Sequence, residues 1–199
     1  MARRAILSLM VQRAPETSFD VLWDELDGLP DEVVGEIVAG EIRATPRPDP
    51  PHLRAASGLG VFVGGAFGMG VGGPGGWVIL DEPRIRFGDE LRVPDLAGWR
   101  AERYAEPDRG PYTVTPDWIC EILSPSTAAV DRGEKQPLYA RAGVGHLWLM
   151  DPLARTLEVL RLQGDLWVVA AVFTGESVVR AEPFDAIELD LAKVWRGRS

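Results

Sequence analysis

The chain has 199 residues, 46% apolar and 26% charged, enough for a packed core and too apolar for a disordered segment. Its formal net charge is −9, so affinity for a phosphate backbone has to come from a local basic rim and not from the exterior as a whole. A single cysteine, Cys120, excludes an internal disulfide and a cysteine-based zinc site, and fits a reducing cytoplasm.

The start, "MARRAILSLMVQRAPETSFD", carries two arginines and an apolar run from Ala5 to Val11. That run is short for a secretory signal, and no small-residue cleavage pattern follows. Residues 1–17 are therefore expected to be an N-terminal extension, and 18–199 a single domain. "SFDVLWDELDGL" (Ser18–Leu29) predicts a short amphipathic helix, capped by Ser18 or Asp20 and ended before Pro30. "EVVGEIVAGEIRATP" predicts a hairpin between Gly35–Val38 and Glu41–Ala44, turning at Gly40, with Glu36 inside the apolar stretch. "PRPDPPH" predicts an extended linker.

No charge occurs between Arg54 and Asp81. A membrane span is the tempting reading. Ten glycines and Pro74 oppose it, because "GGPGG" would expose backbone to lipid. A buried helix over Leu53–Phe67, a Gly/Pro loop and a strand at Trp77–Leu80 fit better. Each helical glycine costs roughly 1 kcal/mol relative to alanine. Gly58, Gly60, Gly64 and Gly65 thus call for close packing against a neighbouring backbone.

Beyond Trp77 the pattern is that of a sheet. Arg84–Phe87, Arg92–Trp99 and Asp117–Leu123 predict strands separated by turn signals. "AAVDRGEKQPLYARAG" has helical character, ends at Gly143, and must kink or start late at Pro137. "HLWLMD", "TLEVLRL" and "DLWVVAAVF" predict three strands, the last two joined through Gln163–Gly164. "PFDAIELDLAKVW" closes the chain as a strand or short helix. The expected fold class is mixed α/β, with a central sheet and no clear internal boundary.

Two acids fall inside or beside strands. Asp95 follows Pro94, and Glu121 sits in "DWICEIL". Alternation puts Ile119, Glu121 and Leu123 on one face and Trp118, Cys120 and Ile122 on the other. An ionised carboxylate among such neighbours is expensive unless paired. Two of them about 4 Å apart repel by roughly 4 kcal/mol at an effective dielectric of about 20. A divalent ion or a lysine resolves that repulsion, and Mg²⁺ suits one or two carboxylates plus water. The chain has two lysines, Lys135 and Lys193, against many arginines, so a lysine shortly after an acidic strand stands out. The residues alone leave open an end-of-strand hydrogen bond for Asp95 and an arginine partner for Glu121.

"GEIVAGEI", "PPH", "VPDLAGW", "PDWICEILSPST", "DRGEK", "LYARAGV" and "HLWLMDP" resemble, in order and spacing, the Uma-type (putative restriction endonuclease) family of the PD-(D/E)xK nuclease superfamily. The resemblance runs from about Leu22 to the C-terminus. It implies a restriction-endonuclease-like core, a mixed sheet flanked by helices, with a divalent-metal site, Mg²⁺ or Mn²⁺, at the sheet edge. It implies Asp95 and Glu121 as catalytic metal ligands, Glu36 as the family's N-terminal acid, and Lys135 as the catalytic lysine. His52 falls where the family often has a histidine, which could bind phosphate in the substrate or support the site from behind. The superfamily lysine two residues after Glu121 is replaced by Leu123, so the resemblance implies a lysine migrated to the helix. Asp131 and Lys135, four apart, would share one face of that helix.

Other motifs carry less. "GLGVFVG" mimics a dinucleotide-binding loop but lacks the preceding strand. "GGPGG" reads as a connector before a phosphate-binding nest. Ser124 and Ser126 belong to turn chemistry, with Ser126 or Thr127 capping the next helix. His146 reads as structural, Asp151–Pro152 as a turn, and Trp118 and Trp148 as core. Two functional classes remain: a metal-dependent endonuclease acting on DNA, and a weak or inactive nuclease-fold module that binds nucleic acid or a partner protein. A cleft gathering Asp95, Glu121 and Lys135, with Glu36 near, discriminates between them. No membrane partner is expected; a homodimer would supply a second site for cutting both strands.

Overall fold

The computed structural model describes residues 18–30 and 32–195. The N-terminal extension expected over 1–17 lies outside the described residues. Helix α1 (Phe19–Leu26) starts at Ser18, whose hydroxyl accepts the Val21 N–H. The hairpin β1 (Val33–Val38) and β2 (Glu41–Pro46) follows. Its turn puts both Ala39 and Gly40 in the left-handed region, the geometry that matches strand twist in a two-residue loop.

The expected linker "PRPDPPH" is shorter than predicted. Helix α2 (Pro50–Val63) already begins at Pro50, with Asp49 accepting the His52 N–H at 3.1 Å. Prolines in a first helical turn sacrifice only N–H groups that have no helical partner, which the sequence reading undervalued here. His52 thus lies in a rigid first turn. A π-helical turn, Gly64–Gly68, ends the element.

The charge-free stretch is a packed helix and a glycine loop. Among the described residues no helix is long and apolar enough to cross a membrane. The predicted backbone contact is found at Gly58, where an added Cβ would stand 3.3 Å from the Cα of Val194. Gly60 instead faces Asp81 and Leu96 side chains, and Gly64 and Gly65 face open space.

Strands β3 (Trp77–Asp81), β4 (Ile85–Phe87), β5 (Glu90–Arg92), β6 (Leu96–Arg100) and β7 (Trp118–Ile122) come next. The single strand expected over Arg92–Trp99 is two strands in two different sheets. Pro94 cannot donate to a ladder, and the chain changes sheet there. Helix α3 (Ala128–Val130) passes through a π-helical turn, Asp131–Lys135, into α4 (Gln136–Ala142), which Gly143 ends at φ 81°. Pro137 has no N–H to give Gly133, and the wider turn absorbs that loss. Strands β8 (His146–Asp151), β9 (Thr156–Gln163) and β10 (Leu166–Thr174) form a meander. The closing segment is both strand and helix: β11 (Val178–Val179) pairs β12 (Leu189–Asp190), which leads into α5 (Leu191–Trp195).

The main sheet has the order β10-β9-β8-β7-β6-β3, and it is mixed because β7 and β8 run parallel while its other neighbours are antiparallel. A smaller antiparallel sheet has the order β2-β1-β5-β4. One face of the main sheet buries Trp118, Cys120, Ile122 and Trp148 under α2 and α5. Phe184 fills its centre, its ring 4.9 Å from those of Trp77 and Trp118. The other face buries Ile119, Leu123, Leu147 and Leu149 with Leu138 and Tyr139 of α4. This is the mixed α/β fold with a central sheet that the residue pattern predicted and the helix-flanked mixed sheet that the resemblance implied, with Trp118 and Trp148 in the core.

Candidate active site

Glu121 is the buried acid of β7, on the face that also carries Ile119 and Leu123. Its two oxygens have different partners. Oε1 accepts the Tyr139 hydroxyl at 2.6 Å, and Oε2 accepts the Lys135 ammonium at 3.0 Å. Asp95 directly precedes β6. Leu96 pairs with Cys120 in an antiparallel register, which sets Asp95 alongside Glu121. Its Oδ2 accepts the Ile122 N–H at 2.6 Å, and its Oδ1 bonds His52 Nε2 at 2.6 Å. The Asp95 carbonyl still accepts the Glu82 N–H alongside β3, while its side chain reaches the Ile122 N–H at the end of β7.

Glu36 arrives from the other sheet. Its Oε1 accepts the Val93 N–H at 2.9 Å, and Arg92 donates to Oε2 at 3.4 Å. Lys135 reaches Glu36 at 3.6 Å and Asp131 at 3.4 Å. The π-helical turn between Asp131 and Lys135 keeps both side chains buried on one side. All five predicted residues, Glu36, His52, Asp95, Glu121 and Lys135, line one cleft of about 520 Å³ between the two sheets. Asp131 lines it too.

The electrostatics follow from the count. Four acids, Glu36, Asp95, Glu121 and Asp131, meet three basic groups: Lys135 among Glu36, Glu121 and Asp131, Arg92 on Glu36, and His52 on Asp95. Burial pushes the Glu121 carboxyl well above the usual carboxylate range; Asp131 and Asp95 push the same way, while Lys135 and the Tyr139 hydrogen bond pull it back. Asp131 is also raised, by burial first, against the pull of Lys135. Burial alone would strip the Lys135 proton, but Glu121, Glu36, Asp131 and Asp95 outweigh it and hold the ammonium charged. His52 behaves alike: burial lowers it, Asp95 more than offsets that, and its proton is held more tightly than usual.

These residues suit a hard, hydrated cation. Each oxygen of Asp95 and Glu121 takes one hydrogen bond, and a carboxylate oxygen has two lone pairs, so acceptor capacity remains. Among the described residues no group of three or more His, Cys, Asp or Glu side chains is placed to hold a metal ion, so any ion would rest on one or two carboxylates and water. One or two carboxylates with retained water are what Mg²⁺ favours.

Three site residues escaped sequence reasoning as site members. Tyr139 and Arg92 anchor Glu121 and Glu36, and Asp131 anchors Lys135. Asp131, Lys135 and Tyr139 recur every four residues, a one-face spacing that could have exposed them together. After the turn "SPST", Thr127 holds the N-cap position of α3, one of the two expected, but makes no side-chain cap bond: its Oγ1 accepts the Ser124 N–H, and its own N–H donates to Ser124 Oγ. Asp151 makes the predicted turn, accepting the Leu153 and Ala154 N–H groups. His146 lies in β8 and does not line the cleft.

Among solved structures, the chain resembles a crystal structure described as a putative nuclease belonging to DUF820 from Anabaena variabilis ATCC 29413. The TM-score is 0.71 at 23% identity, over 90% of this chain and 97% of that one. That likeness is one of fold. No curated protein matches the sequence. The sequence model of the Uma2 family, described as "Putative restriction endonuclease", matches residues 23–192, and the chain belongs to that family.

Proposed function

We propose that this protein is a metal-dependent endonuclease that hydrolyses phosphodiester bonds in DNA, with a lysine supplied from a helix in place of Leu123. The observation that carries the reading is the Lys135 ammonium, 3.0 Å from Glu121 in a cleft that Asp95 shares. Family membership and the neighbour's description as a nuclease support it.

Asp95 and Glu121 are the residues that would hold a divalent ion. Such an ion supplies positive charge for the developing phosphoryl charge and lowers the pKa of bound water. The chain's own residues do the rest. His52 and the Ile122 N–H fix the Asp95 carboxylate from both sides. Tyr139 fixes Glu121 from the side opposite Lys135. Lys135 can donate a hydrogen bond to an attacking water or to a phosphoryl oxygen, and its charge is kept by the surrounding acids. Glu36 and Asp131 hold Lys135 at that place.

The test is nicking of supercoiled plasmid by the purified full-length chain with Mg²⁺ or Mn²⁺, with Glu121→Gln as control. Metal-dependent nicking that the variant loses supports the reading. A folded wild-type protein that cleaves no DNA or RNA substrate with either ion leaves the binding module as the function.

A further inference from the structure

Lys135 already stands where a cation is needed. Its Nζ lies 3.0 Å from Glu121, 3.4 Å from Asp131 and 3.6 Å from Glu36. These acids come from β7, the π-helical turn and β1, and the lysine is buried among them. Among the described residues neither Glu121 nor Asp131 pairs with another cation. Glu121 has both oxygens engaged by donors, Tyr139 on one and Lys135 on the other.

We propose that Lys135 is the resident counter-ion of the ion-free site and competes with a divalent ion, so that ion binding at Glu121 drives the ammonium away from that carboxylate. The inference rests on the reading of the cleft as a divalent-ion site and adds what holds the site together before the ion arrives. Two positive charges sharing one buried carboxylate repel strongly, because little water lies between them to screen the interaction. The lysine has room to yield. It lines the cleft of about 520 Å³, into which its side chain can swing. The competition is therefore a property of this chain, whose lysine arrives on a helix and not on the strand of Glu121.

The chain's two lysines make the test direct, since Lys193 is exposed and lies in α5, remote in sequence. An amine-directed acetylating reagent is applied to the full-length protein with and without millimolar Mn²⁺, and each lysine is read by peptide mass spectrometry. Lys135 is expected to label slowly without Mn²⁺ and about tenfold faster with it, while Lys193 labels alike in both. Labelling of Lys135 that is unchanged or slower while calorimetry shows Mn²⁺ bound overturns the inference. Calorimetry on Lys135→Met gives a second reading: Mn²⁺ should bind about tenfold more tightly or better than to wild type, and Lys135→Arg should show no such gain. Equal uptake by wild type and Lys135→Met overturns this inference alone. No uptake by either overturns it together with the divalent-ion reading. Should Lys135→Met fail to fold, the labelling of the wild-type protein decides.

Discussion

The Lys135 ammonium and the Glu121 carboxylate lie 3.0 Å apart and both are buried, although a Ser/Pro turn and a π-helical turn separate them in the chain. A pair this deeply buried survives only if desolvation is offset by charge and by further hydrogen bonds. Here Tyr139 supplies the hydrogen bond, while Glu36 and Asp131 supply extra charge.

Removing either strand acid should abolish metal-dependent cleavage. Asp95→Ala and Glu121→Gln are each expected to lower the nicking rate at least about a hundredfold while leaving circular dichroism unchanged. Initial rates on supercoiled plasmid with Mg²⁺ check this.

Stability should rise as pH falls through the mildly acidic range. Glu121, Asp131 and His52 all hold protons more tightly folded than unfolded, against His146, which burial lowers and which opposes them as it protonates. A group raised in the folded state contributes stability that is complete below its unfolded value and is lost as pH rises through its folded value. The unfolded values are near 4.5, 3.8 and 6.5, so the gain should develop from neutral pH downward toward about pH 5. Melting temperature measured from pH 8 to pH 5 should increase, and Glu121→Gln should flatten the profile.

Tyr139→Phe deletes a 2.6 Å hydrogen bond to a buried carboxylate and leaves Glu121 Oε1 without that donor. A loss of about 1–3 kcal/mol is expected from the unsatisfied acceptor. Urea unfolding should show a lower midpoint with unchanged slope.

Two glycines of the charge-free stretch should answer alanine in opposite directions. Gly58→Ala brings a Cβ to 3.3 Å of the Val194 Cα and should destabilise by about 1 kcal/mol or more through overpacking. Gly64 has right-handed helical angles and open space, so Gly64→Ala should stabilise by up to about 1 kcal/mol. Thermal melts of the two variants decide it.

Much of the frame was legible in the residues. Strand alternation sorted Trp118, Cys120 and Ile122 from Ile119 and Leu123, and the structure buries them on those two faces. That works because a strand's period of two is a local property. The start of α2 was missed because prolines read as breakers, although at a helix's first positions they cost nothing. The run Arg92–Trp99 was read as one strand because its apolar pattern continues across Pro94; the switch between sheets has no apolar signature.

By itself, the sequence determined which charged residues stand among apolar neighbours: Glu36 and Glu121 on strands, Lys135 in the helical segment after β7, and Asp95 beside Pro94. It could not determine that they would meet. Glu36 and Lys135 are 3.6 Å apart because two sheets abut at the break after Arg92, and Lys135 turns inward because Pro137 forces a wider helical turn. Only the tertiary structure decided that meeting, since Coulomb energy at these distances depends on separations and burial that no local pattern encodes.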